Sequence, residues 1–213
     1  MNPQSLELAS LLCSRLCHDL LSPVGALTNG LELLAEEKDP EMRKHCFALL
    51  EQSAKISADK LKFFRLAFGA AGGFGEVVPV AEARDLVNAL VGNNERVTVN
   101  WALGVEVLPK AAVKVLLNLS LIGLDALVRG GTLDIGAESR DGASEIVVRA
   151  AGPRIAFDGD VGRALGGTLP ADALSSRTAP AAMIRALAEQ CGGGLQYALS
   201  IEALVMGAVL PVG

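Results

Sequence analysis

The chain has no surplus of basic residues: 19 Lys and Arg stand against 24 Asp and Glu, a net charge of −5. Binding to nucleic acid through a basic surface is therefore not expected. There is no run of eighteen apolar residues and no basic-then-apolar opening segment, so neither a membrane span nor a secretory leader is expected. The chain reads as a soluble cytoplasmic protein. Its four cysteines (Cys13, Cys17, Cys46, Cys191) lack paired-ligand spacing. Cys13 and Cys17 are read as small apolar side chains at the edge of a buried helix face, and free thiols fit a reducing compartment. His45-Cys46 is adjacent rather than metal-spaced, one residue on a helix surface and the other in a seam. The glycine-rich stretch Gly69-Ala-Ala-Gly-Gly-Phe-Gly75 has no strand before it and no Lys-Ser/Thr after it. It therefore reads as a hinge rather than a phosphate loop.

What is present is apolar material in helical register. Hydrophobic residues make up 51% of 213 residues, enough for one large domain or two small ones. From Ser5 to roughly Glu37, winding at about 100° per residue gathers Leu6, Ala9, Leu12, Leu16, Leu20, Val24, Leu27, Leu31 and Leu34 on one half of a cylinder. Asp39-Pro40-Glu41 then restarts the chain as a cap, a first helical residue and an acid at the positive dipole end. The second helix runs to about Phe68. Its seams are Met42, Cys46, Leu49, Ile56 and Phe63, and beside them Phe47, Leu50, Ala54, Leu61, Phe64 and Phe68. A short connection between long helices makes an antiparallel hairpin. Faces this broad predict a symmetric homodimer closing a four-helix bundle; packing of the hairpin on the rest of the chain is the rival.

His18 falls near the middle of the polar half of the first helix. Ser14, Arg15, Ser22 and Gly25 surround it, and Leu11 and Leu21 flank it. A helix-surface histidine is on position alone more often inert than functional. However, His18-Asp-Leu-Leu-Ser-Pro23 resembles the phospho-acceptor box of sensor histidine kinases, in which an acid follows the histidine and a proline bends the helix five residues on.

After the hinge, short strands alternate with helices: Val77–Val80, a helix over Ala81–Val91, a strand over Arg96–Leu103 with Val97, Val99 and Trp101 on one face, and a nearly all-apolar helix over Pro109–Arg129 that must be buried. Thr132–Ser139 and Glu145–Ala151 predict a hairpin around Arg140-Asp-Gly142. The Gly/Pro/Ala-rich stretch to Arg177 reads as irregular. A helix over Ala179–Gln190 is closed by Cys191-Gly-Gly-Gly194, and two strands, Leu195–Leu199 and Leu204–Leu210, finish the chain. The expected class is α+β. A helical hairpin (1–68) and a hinge (69–75) precede an α/β sandwich (76–213).

In this order the C-terminal elements resemble the ATP-binding domain of histidine kinases, with its three nucleotide boxes changed. Aligned through Asn118-Leu119, the metal-holding asparagine position is Ile122. In Val148-Arg-Ala-Ala-Gly-Pro-Arg-Ile155 the adenine-reading aspartate position is Ala150, and the second glycine is Arg154. The Gly-x-Gly at the head of the last helix reads Thr178-Ala179-Pro180. An intact acceptor box on a degenerate kinase domain resembles the histidine phosphotransferases of the ChpT type. That resemblance implies a phosphorelay dimer without ATP binding or autokinase activity. His18 would take a phosphoryl group from the receiver domain of a hybrid sensor kinase and pass it to response regulators of the bacterial cell cycle. Asp19 would orient or deprotonate the imidazole, and Arg15 would steady the phosphoryl oxygens. Leu11, Ser14, Leu21, Ser22 and Gly25 would seat the receiver, which would also supply Mg²⁺. The alternatives are an active kinase with divergent boxes and a non-catalytic dimeric docking protein.

Overall fold

The computed structural model describes residues 3–69, 76–92 and 94–212. Two long helices, α1 (Pro3–Glu36) and α2 (Pro40–Ala67), form the antiparallel hairpin. Their connection is held from both sides. Asp39 caps α2 by accepting from the amides of Glu41 and Met42, and Arg43 Nη1 donates to the carbonyls of Leu34 and Glu37 at 2.8 and 2.9 Å. Those are among the carbonyls that the end of α1 leaves without helical partners. The proposed glycine-rich hinge, apart from Gly69, lies outside the described residues.

The remaining elements are β1 (Val77–Pro79), α3 (Val80–Val91), β2 (Val97–Leu103), β3 (Val107–Pro109), α4 (Lys110–Ala126), β4 (Gly131–Arg140), β5 (Ala143–Ala151), α5 (Gly159–Leu165), α6 (Ala179–Gln190), β6 (Gly194–Leu199) and β7 (Ala203–Pro211). Five strands make one mixed sheet in the order β2-β4-β5-β7-β6. Only β2 and β4 run parallel, and α4 lies in the crossover between them, as a parallel pair requires. β1 and β3 pair separately and antiparallel. The β4–β5 turn carries Asp141 at φ 51° and Gly142 at φ 75°, the left-handed pair that a two-residue hairpin needs.

The central strands alternate between a covered and an open face. Leu133, Ile135, Ile146, Val148, Leu204 and Met206 face the helices and are buried, while Asp134, Arg149 and Val147 point to the open side. Helix α4 is apolar nearly all round because α2, α3, α6 and the sheet enclose it. At Gly123 a Cβ would come within 2.6 Å of Leu133 Cδ1, so the missing side chain sets how closely α4 lies on the sheet.

Three expectations change. The stretch to Arg177 is not irregular throughout: α5 forms within it, capped by Asp158 accepting from the amide of Asp160. β3 was not foreseen. Cys13 and Cys17 are exposed rather than buried. The half-buried positions of α1 run through Leu8, Leu12, Leu16, Leu20 and Leu27 with Pro23 buried, and the cysteines stand to one side of that line. The hairpin meets the C-terminal domain at the base of α2, where Phe63, Phe64, Leu66 and Ala67 enter the common core. Further along the hairpin, Leu31, Met42, Phe47, Leu49, Ile56 and Leu61 remain exposed in the single chain.

Candidate functional site

Helix α1 presents His18 with 83% of its side chain exposed. Its Nδ1 lies 3.2 Å from Asp19 Oδ1. A carboxylate only accepts, so with Nδ1 as the donor of this contact the Nε2 lone pair is free in the neutral ring. The other oxygen of Asp19 accepts from Arg15 Nε at 2.7 Å, and Arg15 Nη2 reaches Asp125 Oδ2 on α4 at 2.8 Å. One guanidinium therefore bridges the carboxylate beside the histidine and a carboxylate of the C-terminal domain. Arg15 and Asp19 keep only 14% and 16% side-chain exposure. Burial by itself would lower the affinity of Arg15 for its proton; the carboxylates of Asp125 and Asp19 outweigh it and raise that affinity above the ordinary value.

A second cation approaches from α2. Proline has no N–H, so Pro23 cannot donate to the carbonyl four residues back, that of Asp19. Lys60 Nζ takes the vacant place and donates to that carbonyl at 2.8 Å. The carbonyl that the acceptor-box proline leaves open is thus tied to α2, one residue along from His18.

Among the other residues singled out from the sequence, Ser14, Leu21 and Ser22 are exposed, Leu21 at 70%. Gly25 is half-buried, with nothing within 4 Å of where a Cβ would stand. Leu11, expected on the exposed half, is half-buried, because its side of α1 turns toward the C-terminal domain. Arg15 likewise faces that domain rather than open solvent. Two residues of the site were missed. Lys60 gave no sequence signal. Asp125 gave one: it is the lone acid of a largely apolar helix and sits in the last turn, where the helix dipole disfavours a negative charge and a cationic partner is needed.

A cleft between α1 and the C-terminal domain is about 30 Å³ and lined by Arg15, Ile122, Asp125, Phe157, Arg177 and Pro180 among others. Ala150 is fully buried in β5 and Ile122 nearly so. Ala179 and Pro180 are buried at the head of α6. Neither a carboxylate for an adenine amino group nor a side-chain amide for a metal stands at these positions. Among the described residues no group of three or more His, Cys, Asp or Glu could hold a metal ion, and no helix is long and apolar enough to cross a membrane.

A helical hairpin with an open histidine, set on a kinase-like α/β domain, defines a phosphotransfer protein. A family model of the histidine phosphotransferase C-terminal domain matches residues 80–203. Protein phosphotransferase ChpT of Brucella abortus (strain 2308) is 34% identical over 204 residues, 96% of each chain. A solved structure of a bacterial phosphotransferase superposes with a TM-score of 0.83 at 32% identity, covering 98% of both chains. The histidine kinase domain of a blue-light-activated kinase from Erythrobacter litoralis gives a TM-score of 0.50 at 11% identity over 90% of this chain and 94% of that one, a likeness of fold alone. The chain belongs to the ChpT-like histidine phosphotransferases.

Proposed function

We propose that His18 is the phospho-acceptor. It takes the phosphoryl group from the receiver domain of a hybrid sensor kinase and delivers it to the receiver aspartates of response regulators that govern the bacterial cell cycle. The observation that carries this reading is the exposed imidazole whose Nδ1 is occupied by Asp19. The Nε2 lone pair attacks phosphorus of the receiver's aspartyl phosphate. The N–P bond forms as the P–O bond to the aspartate breaks, and the aspartate leaves as carboxylate. The positive charge that grows on the ring is balanced through Nδ1 by Asp19, and Arg15 keeps that carboxylate in place. A second receiver aspartate reverses the step. The transfer passes through a loose transition state, so alignment dominates. Mg²⁺ and a lysine are assigned to the receiver. Leu21, Ser14, Ser22 and the open space at Gly25 give the receiver its approach, with Leu11 contributing only its exposed part.

ATP and autokinase activity have no part in this reading. Ile122, Ala150 and Pro180 support that view, since they put apolar side chains where the kinase boxes place a metal-holding amide, an adenine-reading carboxylate and a glycine, and Arg154 stands where the second glycine would be. The exposed apolar stripe of the hairpin supports a homodimer through a four-helix bundle, with its histidines facing the cytoplasm. The test is incubation with a purified receiver carrying labelled phosphoryl group, with and without γ-labelled ATP. Acid-labile label should pass from the receiver to wild type, not from ATP, and not to His18→Ala. Label retained on His18→Ala overturns the acceptor assignment, and labelling by ATP alone favours an active kinase.

A further inference from the structure

A polar path of three contacts joins the C-terminal domain to the acceptor. We propose that Asp125 of α4 is a positioning residue for phosphoryl transfer at His18, acting through Arg15 and Asp19. The inference rests on the reading of His18 as acceptor. The path runs from Asp125 Oδ2 to Arg15 Nη2 at 2.8 Å, from Arg15 Nε to Asp19 Oδ2 at 2.7 Å, and from Asp19 Oδ1 to His18 Nδ1 at 3.2 Å. Asp125 stands 110 positions along the chain from Arg15, so nothing local brings them together; the packing of α4 against the hairpin does.

The chemistry explains why the far carboxylate matters. Arg15 has one planar fork. With its Nη2 end held by Asp125, Nε stays aimed at Asp19, and Asp19 in turn keeps its free oxygen on the histidine ring. Without Asp125 the guanidinium is free to turn toward solvent, and Asp19 loses the partner that fixes its rotamer. The ring is then no longer held in the one tautomer that presents Nε2. A domain whose nucleotide boxes are changed thereby retains a task at the phosphoryl site without touching the phosphoryl group.

Asp125 does not contact His18, so its effect belongs on the rate of the chemical step and on the state of the ring, not on receiver affinity. The chain contains only two histidines, His18 and His45, and His45 is exposed on α2. Nitrogen-15 NMR of the full-length protein therefore reads the His18 tautomer with an internal control. In wild type at a pH where both rings are neutral, His18 is expected as the Nδ1–H form. In Asp125→Ala it is expected to become a mixture, with His45 unmoved. Single-turnover transfer from a labelled receiver should slow by about tenfold at saturating receiver, the half-saturating receiver concentration staying where it is. Asp125→Glu should recover most of the rate.

His18→Ala run in parallel separates the two readings: label on that variant overturns the acceptor assignment itself. With that control silent, an unchanged saturated rate and an unchanged tautomer in Asp125→Ala overturn the positioning role. A rise in half-saturating concentration alone also overturns it, by making Asp125 part of a docking surface. Should Asp125→Ala melt below the assay temperature, Asp125→Asn, which keeps the volume and drops the charge, is read by the same two measurements.

Discussion

Pro23 takes one donor out of α1, and the acceptor it strands, the carbonyl of Asp19, is the one that Lys60 satisfies at 2.8 Å. The two residues should therefore be coupled. Lys60→Met ought to cost about 1 kcal/mol in wild type, because it leaves a carbonyl without its donor. In a Pro23→Ala background the new N–H can close the helical bond, and the same substitution should cost close to nothing. Urea unfolding of the four proteins in the cycle measures the difference; equal costs in both backgrounds would show that Lys60 answers to something other than the proline. Asp134, on the open face of the sheet, gives a pH-dependent counterpart. Asn100 Nδ2 and Arg149 Nη1 each donate to it at 2.8 Å from the neighbouring strands. The Asn100 bond foremost holds its carboxyl below the ordinary range; burial opposes it, and the hydrogen bond and charge of Arg149 add to the lowering. A depressed carboxylate stabilises the fold above its unfolded value and loses that contribution as the pH falls through the folded one. The gap in unfolding midpoint between wild type and Asp134→Asn should be open near neutral pH and close in strong acid. A gap that is constant with pH counts against the ionic account.

Helix α2 ends against α4, and one amide joins them. Asn118 Nδ2 donates to the Ala67 carbonyl at 3.2 Å and to the Lys114 carbonyl at 2.8 Å. Ala67 is the last residue of α2, so its carbonyl has no partner further along the helix. Asn118 Oδ1 is itself buried with no protein partner, which marks the Nδ2 contacts as the reason for the amide. Asn118→Ala should cost about 2 kcal/mol, read from the urea midpoint. Asn118→Asp should cost more, because an acceptor-only carboxylate would face two carbonyls in the core; an aspartate variant as stable as the alanine one would remove this account. The same helices show what patterning can and cannot reveal. α1 and α2 were legible because a 3.6-residue period runs through each, α4 because its apolar run is long and nearly unbroken, and the Asp39-Pro40 start of α2 lies in adjacent letters. α5 was hidden by glycine and alanine, which carry little period, although the Asp158 cap was present. β3 is three residues long and exists because β1 lies beside it, a pairing that no local pattern contains.

At the scale of the whole molecule, the site was legible only as far as it is local. His18, Asp19 and Pro23 share one hexapeptide, whereas Asp125 and Lys60 reach them from 110 and 41 positions along the chain through tertiary packing. The apolar half of α1 is only partly covered within one chain. Leu6, Val24 and Leu31 belong to its apolar half yet are exposed in the single chain, because one partner helix and one domain cannot cover a cylinder from every side. Together with Phe47, Leu49, Ile56 and Leu61 they form the stripe expected to close the four-helix bundle. This stripe can be told apart from other exposed apolar surface. Val147 on the open face of the sheet is about as exposed as Phe47, but a flat sheet face lacks the interlocking ridges that pair helices. Leu49→Asp with Ile56→Asp should therefore convert a dimer into a monomer in sedimentation equilibrium at micromolar concentration, while Val147→Asp leaves the mass unchanged. The aspartates sit at positions already facing solvent in the single chain, so their cost should appear as dissociation rather than as loss of the C-terminal domain's fold, which the single Trp101 on β2 reports by fluorescence. A wild-type protein that sediments as a monomer, or a dimer that survives both aspartates, would place the association elsewhere and leave the hairpin stripe without its proposed partner.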